Sequence, residues 1–176
     1  MKKLLVVVAL FVATLSNAQK GHIFLGGDVG YSSEKIGDAK STNFEFAPRV
    51  GYMFANTWGV GVEGSIQNID LAGSPKTERY KIGGFLRYIT PITETFAFYA
   101  DLGGGYQTYS VNDAKGMYAF FTPNLSINVK HGVALNFSIG GIKYDNLDGH
   151  NDPRQERFSF DFGNSFNIGI SKNFTL

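Results

Sequence analysis

The C-terminal part of the chain alternates strictly between large apolar residues and small or polar ones. The even positions are Phe158, Phe160, Phe162, Asn164, Phe166, Ile168 and Ile170, and the odd positions hold only Ser, Asp, Gly and Asn. Successive side chains of a β-strand point to opposite faces, so a strand here has one apolar face and one small or polar face. A helical period does not produce this pattern. The segment is therefore predicted to be a strand between two different environments.

Seven earlier segments alternate in the same way. Their apolar faces run over Ile23–Tyr31, Phe44–Phe54, Trp58–Ile66, Tyr80–Tyr88, Phe96–Tyr106, Met117–Val129 and Val133–Ile139. No position on any of the eight apolar faces carries a charge, although Asp, Glu, Lys and Arg make up 18% of the chain. The pattern predicts eight strands that each keep one face free of charge.

The opposite faces of these segments carry charged side chains among Gly, Ser, Asn and Gln. The charged ones are Asp28, Glu45, Arg49, Glu63, Lys81, Arg87, Asp101 and Asp161. The apolar faces hold too many Phe residues for the interior of a small barrel, which is just wide enough for its side chains. The sequence therefore predicts an all-β fold, an eight-stranded antiparallel up-and-down transmembrane β-barrel with apolar faces toward lipid. The alternative is a secreted soluble barrel of the lipocalin type, with a small apolar ligand inside.

The inward charges allow two interpretations. Isolated ions in a narrow lumen are costly, so these groups must pair with one another or be hydrated. In the first interpretation they form a structural ion-pair core that closes the barrel. In the second they form a gate or a weakly cation-preferring pore, because five acids face three bases. We expect a structural or surface-interaction role, with passage of small solutes as the second use of the lumen.

Composition argues against several other functions. The chain has no Cys, which excludes disulfides, a thiolate zinc site and a Cys nucleophile. A formal charge of +1 from 16 basic and 15 acidic residues predicts no nucleic-acid partner. The three histidines, His22, His131 and His150, fall in a strand start, a turn and a loop. No catalytic, cofactor or metal site is predicted, and the chain is not expected to be an enzyme.

Three short motifs fit known patterns only in part. Residues 59–64 read G-x-G-x-x-G, but alternation continues through Gln67, where a dinucleotide site needs a helix. Residues 145–152 are acidic like a calcium loop, but Tyr144 stands where an EF-hand has its first Asp. Glycosylation sequons at Asn124, Asn136 and Asn173 lie within predicted strands. The glycines, of which the chain has 22, are expected to relieve crowding in a tightly curved barrel.

The N-terminus has the three parts of a secretory signal peptide. Lys2 and Lys3 precede an apolar run over 4–15, and Ser16-Asn17-Ala18 supplies the small residues of a cleavage site. The apolar run is too short to span a bilayer. We expect residues 1–18 to be a signal peptide and residues 19–176 to be the barrel domain.

The predicted connections alternate in length. Those at 32–42, 68–77, 110–115 and 145–156 are the longer set, and those at 55–57, 90–95 and 130–132 are the shorter set. Outer-membrane barrels have short periplasmic turns and longer external loops. An even strand number then places both termini in the periplasm.

The whole mature chain resembles the eight-stranded outer-membrane barrels of the OmpA/OmpX type. The final strand carries the one motif of the resemblance, with Asn167, Gly169 two positions on and the aromatic Phe174, although Lys172 replaces a usual hydrophobic residue and Thr175-Leu176 follow. The resemblance implies an outer-membrane protein of a Gram-negative bacterium. It also implies contacts with outer-membrane lipids, with the barrel-assembly machinery through this strand, and with an extracellular partner of the loops.

Aromatic residues stand near both ends of the predicted strands, as in the interfacial girdles of membrane barrels. Phe54, Trp58, Tyr88, Phe96 and Phe174 would mark the periplasmic side, and Tyr31, Phe44, Tyr80, Tyr106 and Phe158 the outer side.

Pro48 and Pro123 fall inside strands. Each removes a ladder hydrogen bond, so the sheet needs an irregularity at both positions.

Overall fold

The computed structural model describes residues 21–36, 39–110, 113–149 and 154–175, so the predicted signal peptide and His150 lie outside the described residues. The strands are β1 (His22–Ile36), β2 (Ala39–Met53), β3 (Trp58–Asp70), β4 (Thr77–Pro91), β5 (Phe96–Tyr109), β6 (Lys115–Lys130), β7 (Val133–Asp148) and β8 (Gln155–Thr175). Each pairs antiparallel with its neighbour, and β8 pairs with β1 to close the barrel. The predicted all-β, eight-stranded barrel is confirmed. Within the described residues, no helix has the length and hydrophobicity of a membrane span.

The apolar faces point away from the lumen. Leu102 keeps 58% of its surface exposed and Ile82 keeps 70%, and all ten predicted girdle aromatics are exposed as well. This orientation contradicts the soluble alternative with its apolar faces inward. Among the described residues, Tyr52 and Pro123 on these predicted faces are buried, and the chain at Gly21 lies against the ring of Tyr52.

The strands extend further than their alternation predicted. The first hairpin remains paired through Ser33↔Thr42 to Ile36↔Ala39, so the connection expected at 32–42 is mostly strand. The last connection shortens in the same way, since β7 runs to Asp148 and β8 starts at Gln155. Both extensions consist mostly of polar residues. Backbone pairing, which is independent of side-chain polarity, continues there where the hydrophobic signal ends.

Both strand prolines lie at ladder irregularities. Pairing between β2 and β3 is interrupted between Phe46↔Ile66 and Arg49↔Glu63, the stretch that contains Pro48. Pro123 lies in the register shift of β6 against β7. A proline lacks the N–H that a regular ladder needs, and at these two positions the ladder does not require it.

Inward-facing rings rest on inward-facing glycines. A Cβ added to Gly61 would lie 2.4 Å from Cζ of Phe85, and one added to Gly51 would lie 2.2 Å from Cζ of Phe24. Gly83 makes room for Tyr118 in the same way, and Gly103 makes room for Phe120. The crowding expected from the glycine content is thus confirmed, and Gly59–Gly64 belongs to the interior of β3.

The β1–β8 ladder covers only part of the barrel height. It runs from His22↔Thr175 to Asp28↔Gly169, and above that level no pair joins β1 to the described part of β8. The upper part of β8 remains paired with β7 after an irregularity between Ser138 and Gly140. Within the described residues, the pairing that closes the barrel therefore lies at its lower end.

Candidate functional site

A buried ion pair between the neighbouring strands β4 and β5 lies in the lower lumen. Nε and Nη2 of Arg87 on β4 donate to Oδ1 and Oδ2 of Asp101 on β5 at 2.7 and 2.8 Å. Asp101 has no exposed surface, and Arg87 is buried as well. The guanidinium lies 4.0 Å from the ring centroid of Tyr99 and 4.2 Å from that of Phe24. This bidentate, charge-assisted pair is packed between two aromatic rings.

Arg49 on β2 joins this pair to a second carboxylate. Its Nη1 lies 3.4 Å from Oδ2 of Asp101, and its Nε lies 3.3 Å from Oε2 of Glu63. The hydroxyl of Tyr118 donates to Oε1 of Glu63 at 2.9 Å. Two carboxylates thus face two guanidinium groups, so the buried charges balance.

Aromatic rings pack around these ions. Phe24, Phe85, Tyr118 and Phe120 form one buried cluster. We call the ions and rings together the plug, which consists of Phe24, Arg49, Glu63, Phe85, Arg87, Tyr99, Asp101, Tyr118 and Phe120. Four of the eight predicted lumen charges belong to it.

A second polar network lies toward the outer end. Nη2 of Arg79 donates to Oε1 of the fully buried Gln107 at 2.7 Å and to Oδ1 of Asp145 at 2.8 Å. Nζ of Lys81 lies 3.4 Å from the same carboxylate oxygen. Only Lys81 was predicted to face the lumen. Arg79 and Asp145 were missed because the strands that carry them were predicted to be shorter.

Between these two layers lies a polar cavity of about 170 Å³. Asp28 and Glu45 line it together with Arg49, Glu63, Lys81 and Lys143. Oε1 of Glu45 accepts a hydrogen bond from Oγ of Ser65 at 3.1 Å. The cavity is large enough to hold several water molecules.

Asp161 lies apart from the other predicted lumen charges. It is exposed and pairs with Gly141 on β7, and it does not line the cavity. Seven of the eight predicted charges therefore meet in the lumen. Asp161 lies on the upper part of β8, beyond the irregularity of the β7–β8 ladder between Ser138 and Gly140.

The histidines within the described residues are far apart in the fold. His22 begins β1, and His131 lies in the β6–β7 turn. No group of three or more His, Cys, Asp or Glu side chains with metal-binding geometry occurs in the described part of the chain.

Comparison with known proteins shows which solved structures have a similar fold. No protein-family model matches the sequence, and a search of curated proteins gives no significant match. Among solved structures, Neisserial surface protein A matches with a TM-score of 0.57 and 14% identity over 89% of this chain and 97% of that one. The outer membrane protein OprG from Pseudomonas aeruginosa matches with a TM-score of 0.50 and 16% identity over 89% and 96%. The chain therefore has the eight-stranded barrel fold of bacterial outer-membrane proteins.

Proposed function

We propose that this chain is an integral β-barrel of the Gram-negative outer membrane with a structural or surface-interaction role and a closed lumen. The observation that carries the proposal is the inverted polarity of the barrel, with exposed apolar side chains outside and a buried ion network inside. In water, so continuous an apolar exterior would be an aggregation surface. Lipid is the solvent in which it is stable.

The orientation follows from the connections. The turns at 54–57, 92–95 and 131–132 lie at the end where the chain enters and leaves the barrel. Short turns are periplasmic in such barrels. Both termini are then periplasmic, which agrees with residues 1–18 as a signal peptide and 19–176 as the barrel domain.

The last strand would present the signal for barrel assembly. Asn167, Gly169 and Phe174 lie on β8, and Phe174 is exposed at the lower end beside Ile23 of β1. An exposed terminal aromatic is available to the assembly machinery before the barrel closes. An extracellular partner would meet the connections at 71–76, 110–114 and 149–154, since these lie at the opposite end.

Membrane insertion has a direct test. We expect the chain expressed with its N-terminal segment to fractionate with outer membranes and to require detergent for extraction. The folded barrel should migrate differently on gels before and after boiling, because closed membrane barrels resist detergent unfolding. A protein that stays in the aqueous fraction and shows no heat-shifted migration would contradict the proposal and support a soluble barrel.

The plug predicts the conductance of the lumen. Purified, heat-shift-positive protein in planar bilayers is expected to show no channel steps, because Arg87, Asp101 and the surrounding rings fill the lower lumen. Protein-free detergent at the same dilution is the control. Reproducible cation-selective steps would contradict the closed lumen and favour the acid-lined pore.

A further inference from the structure

Three charged side chains of the cavity have no ionic partner among the described residues. The other charged residues that line it are in ion pairs, Arg49 with Glu63 and with Asp101 of the plug, and Lys81 with Asp145. Asp28, Glu45 and Lys143 line the same cavity without such a pair. Charges that are removed from bulk water need a compensating group, so these three depend on water or on a ligand.

The two unpaired carboxylates stand on one side of the cavity. Asp28 on β1 pairs with Ala47 on β2, two residues from Glu45, so the two carboxylates are diagonal neighbours on one inward face. The hydrogen bond from Oγ of Ser65 gives Glu45 a neutral donor only. Two neighbouring anions without a base favour a cationic donor that can reach both.

The unpaired ammonium group enters the cavity from another strand. Lys143 on β7 pairs with Phe120 of the plug, so its side chain lies on the lumen face. Asp161, its diagonal neighbour on β8, lies outside the cavity and forms no ion pair with it in the part of the chain that the structure describes. Lys143 lines the cavity and is also exposed, so a solute can reach the cavity at this position.

The same polarity extends over the whole lumen. On the described parts of β1–β3, the inward register carries four acids and one base, namely Asp28, Glu34, Glu45 and Glu63 with Arg49. On β4–β8 it carries five bases and three acids, namely Arg79, Lys81, Arg87, Lys143 and Arg157 with Asp101, Asp145 and Asp161. The two halves of the wall therefore have opposite net charge. A solute with one charge of each sign is attracted in a single orientation.

We propose that the cavity binds a small zwitterion, a solute with an ammonium group at one end of a short carbon chain and a carboxylate at the other. The ammonium donates to Asp28 and Glu45, and Lys143 donates to the carboxylate of the solute. A cavity of about 170 Å³ holds such a solute together with bridging waters. The inference rests on the proposed function, because the plug makes this a binding site without passage.

The test compares three solutes that differ only in charge. The probe is 4-aminobutanoate, and the matched controls are butanoate and butylammonium, each of which keeps one of its two charges. Dissociation constants are measured by chemical-shift titration of the isotope-labelled barrel in a non-ionic detergent, because a zwitterionic detergent would compete. We expect 4-aminobutanoate to bind about tenfold more tightly than either control, the scale of one charge-assisted contact.

Single substitutions assign each end of the probe. Lys143→Gln should weaken 4-aminobutanoate about tenfold and leave butylammonium unchanged. Glu45→Gln should weaken 4-aminobutanoate and butylammonium alike and leave butanoate unchanged. Lys115→Gln and Asp148→Asn are the matched controls, since both charges are exposed at the outer ends of β6 and β7, and neither should alter any of the three constants. The heat-shifted gel band verifies that each variant is a folded barrel.

Three results would overturn the inference while the heat-shifted band persists. They are the absence of saturable shifts with 4-aminobutanoate, equal binding of 4-aminobutanoate and butylammonium, and an unchanged affinity in Lys143→Gln. The second result would identify a site for cations alone. Loss of the heat-shifted band in the unmodified protein would instead contradict the membrane barrel itself.

Discussion

Replacing Asp101 with Ala is expected to lower the free energy of unfolding by about 3–5 kcal/mol, the range for removing one partner of a buried ion pair. Asp101 accepts two short hydrogen bonds from Arg87 and lies 3.4 Å from Nη1 of Arg49. Without the carboxylate, the guanidinium of Arg87 remains between the rings of Phe24 and Tyr99 with no anion. Its desolvation is then uncompensated.

Urea unfolding in detergent micelles, followed by the heat-shifted gel band, measures this loss. Asp161→Ala is the matched control, because that carboxylate is exposed, and it should change the free energy by less than about 0.5 kcal/mol. The double variant Arg87→Met with Asp101→Leu should recover most of the stability, since apolar groups of similar volume replace buried pairs well. Equal losses in Asp101→Ala and Asp161→Ala would contradict a structural role for the plug.

Replacing Leu102 with Arg is expected to cost about 2–4 kcal/mol, the measured range for a basic residue on the lipid face at mid-bilayer. Leu102 lies midway along β5 between the girdle residues Phe96 and Tyr106, and 58% of its side chain is exposed. The substitution buries nothing inside the barrel. Its cost comes from moving a guanidinium into hydrocarbon.

Met117→Arg controls for the chemistry of the substitution. Met117 pairs with Tyr106 at the outer girdle and is 66% exposed, so the same change should cost only about 0–1 kcal/mol near the interface. Both free energies are measured by refolding into lipid vesicles. In a water-exposed barrel the two variants would behave alike, and that result would contradict the lipid-facing assignment.

The lipid and lumen faces could be predicted because the two-residue alternation of side chains continues along a whole regular strand. On β5, alternation correctly separates the outward Leu102 from the inward Asp101. The same rule fails on β7. Ile139 faces outward and Asp145 faces inward although both have odd numbers, because the irregularity beside Gly140 and Gly141 shifts the phase by one. Two adjacent glycines allow such a shift, but they do not indicate which face of the sheet the following side chains point to.

Alternation also could not predict which residues form the plug. Phe85 and Tyr99 fall on strand faces that carry charges, and Phe120 falls on the uncharged inward face of β6. Which side chains meet inside the lumen depends on which strands face each other. That arrangement is set by the closure of the barrel and not by the sequence of any one strand. Asp161 shows the converse, since its phase is right for the lumen but it does not line the cavity.

Three rings of the plug cover the glycine that pairs with them on the neighbouring strand. Phe24 pairs with Gly51, Phe85 with Gly61 and Phe120 with Gly103, and a Cβ on any of these glycines would collide with the ring. A larger side chain there would have to displace the ring, because interiors at this packing density have no spare volume. Strand register and interior packing are therefore coupled: a slip of one strand by one residue would move its ring away from the glycine that makes room for it.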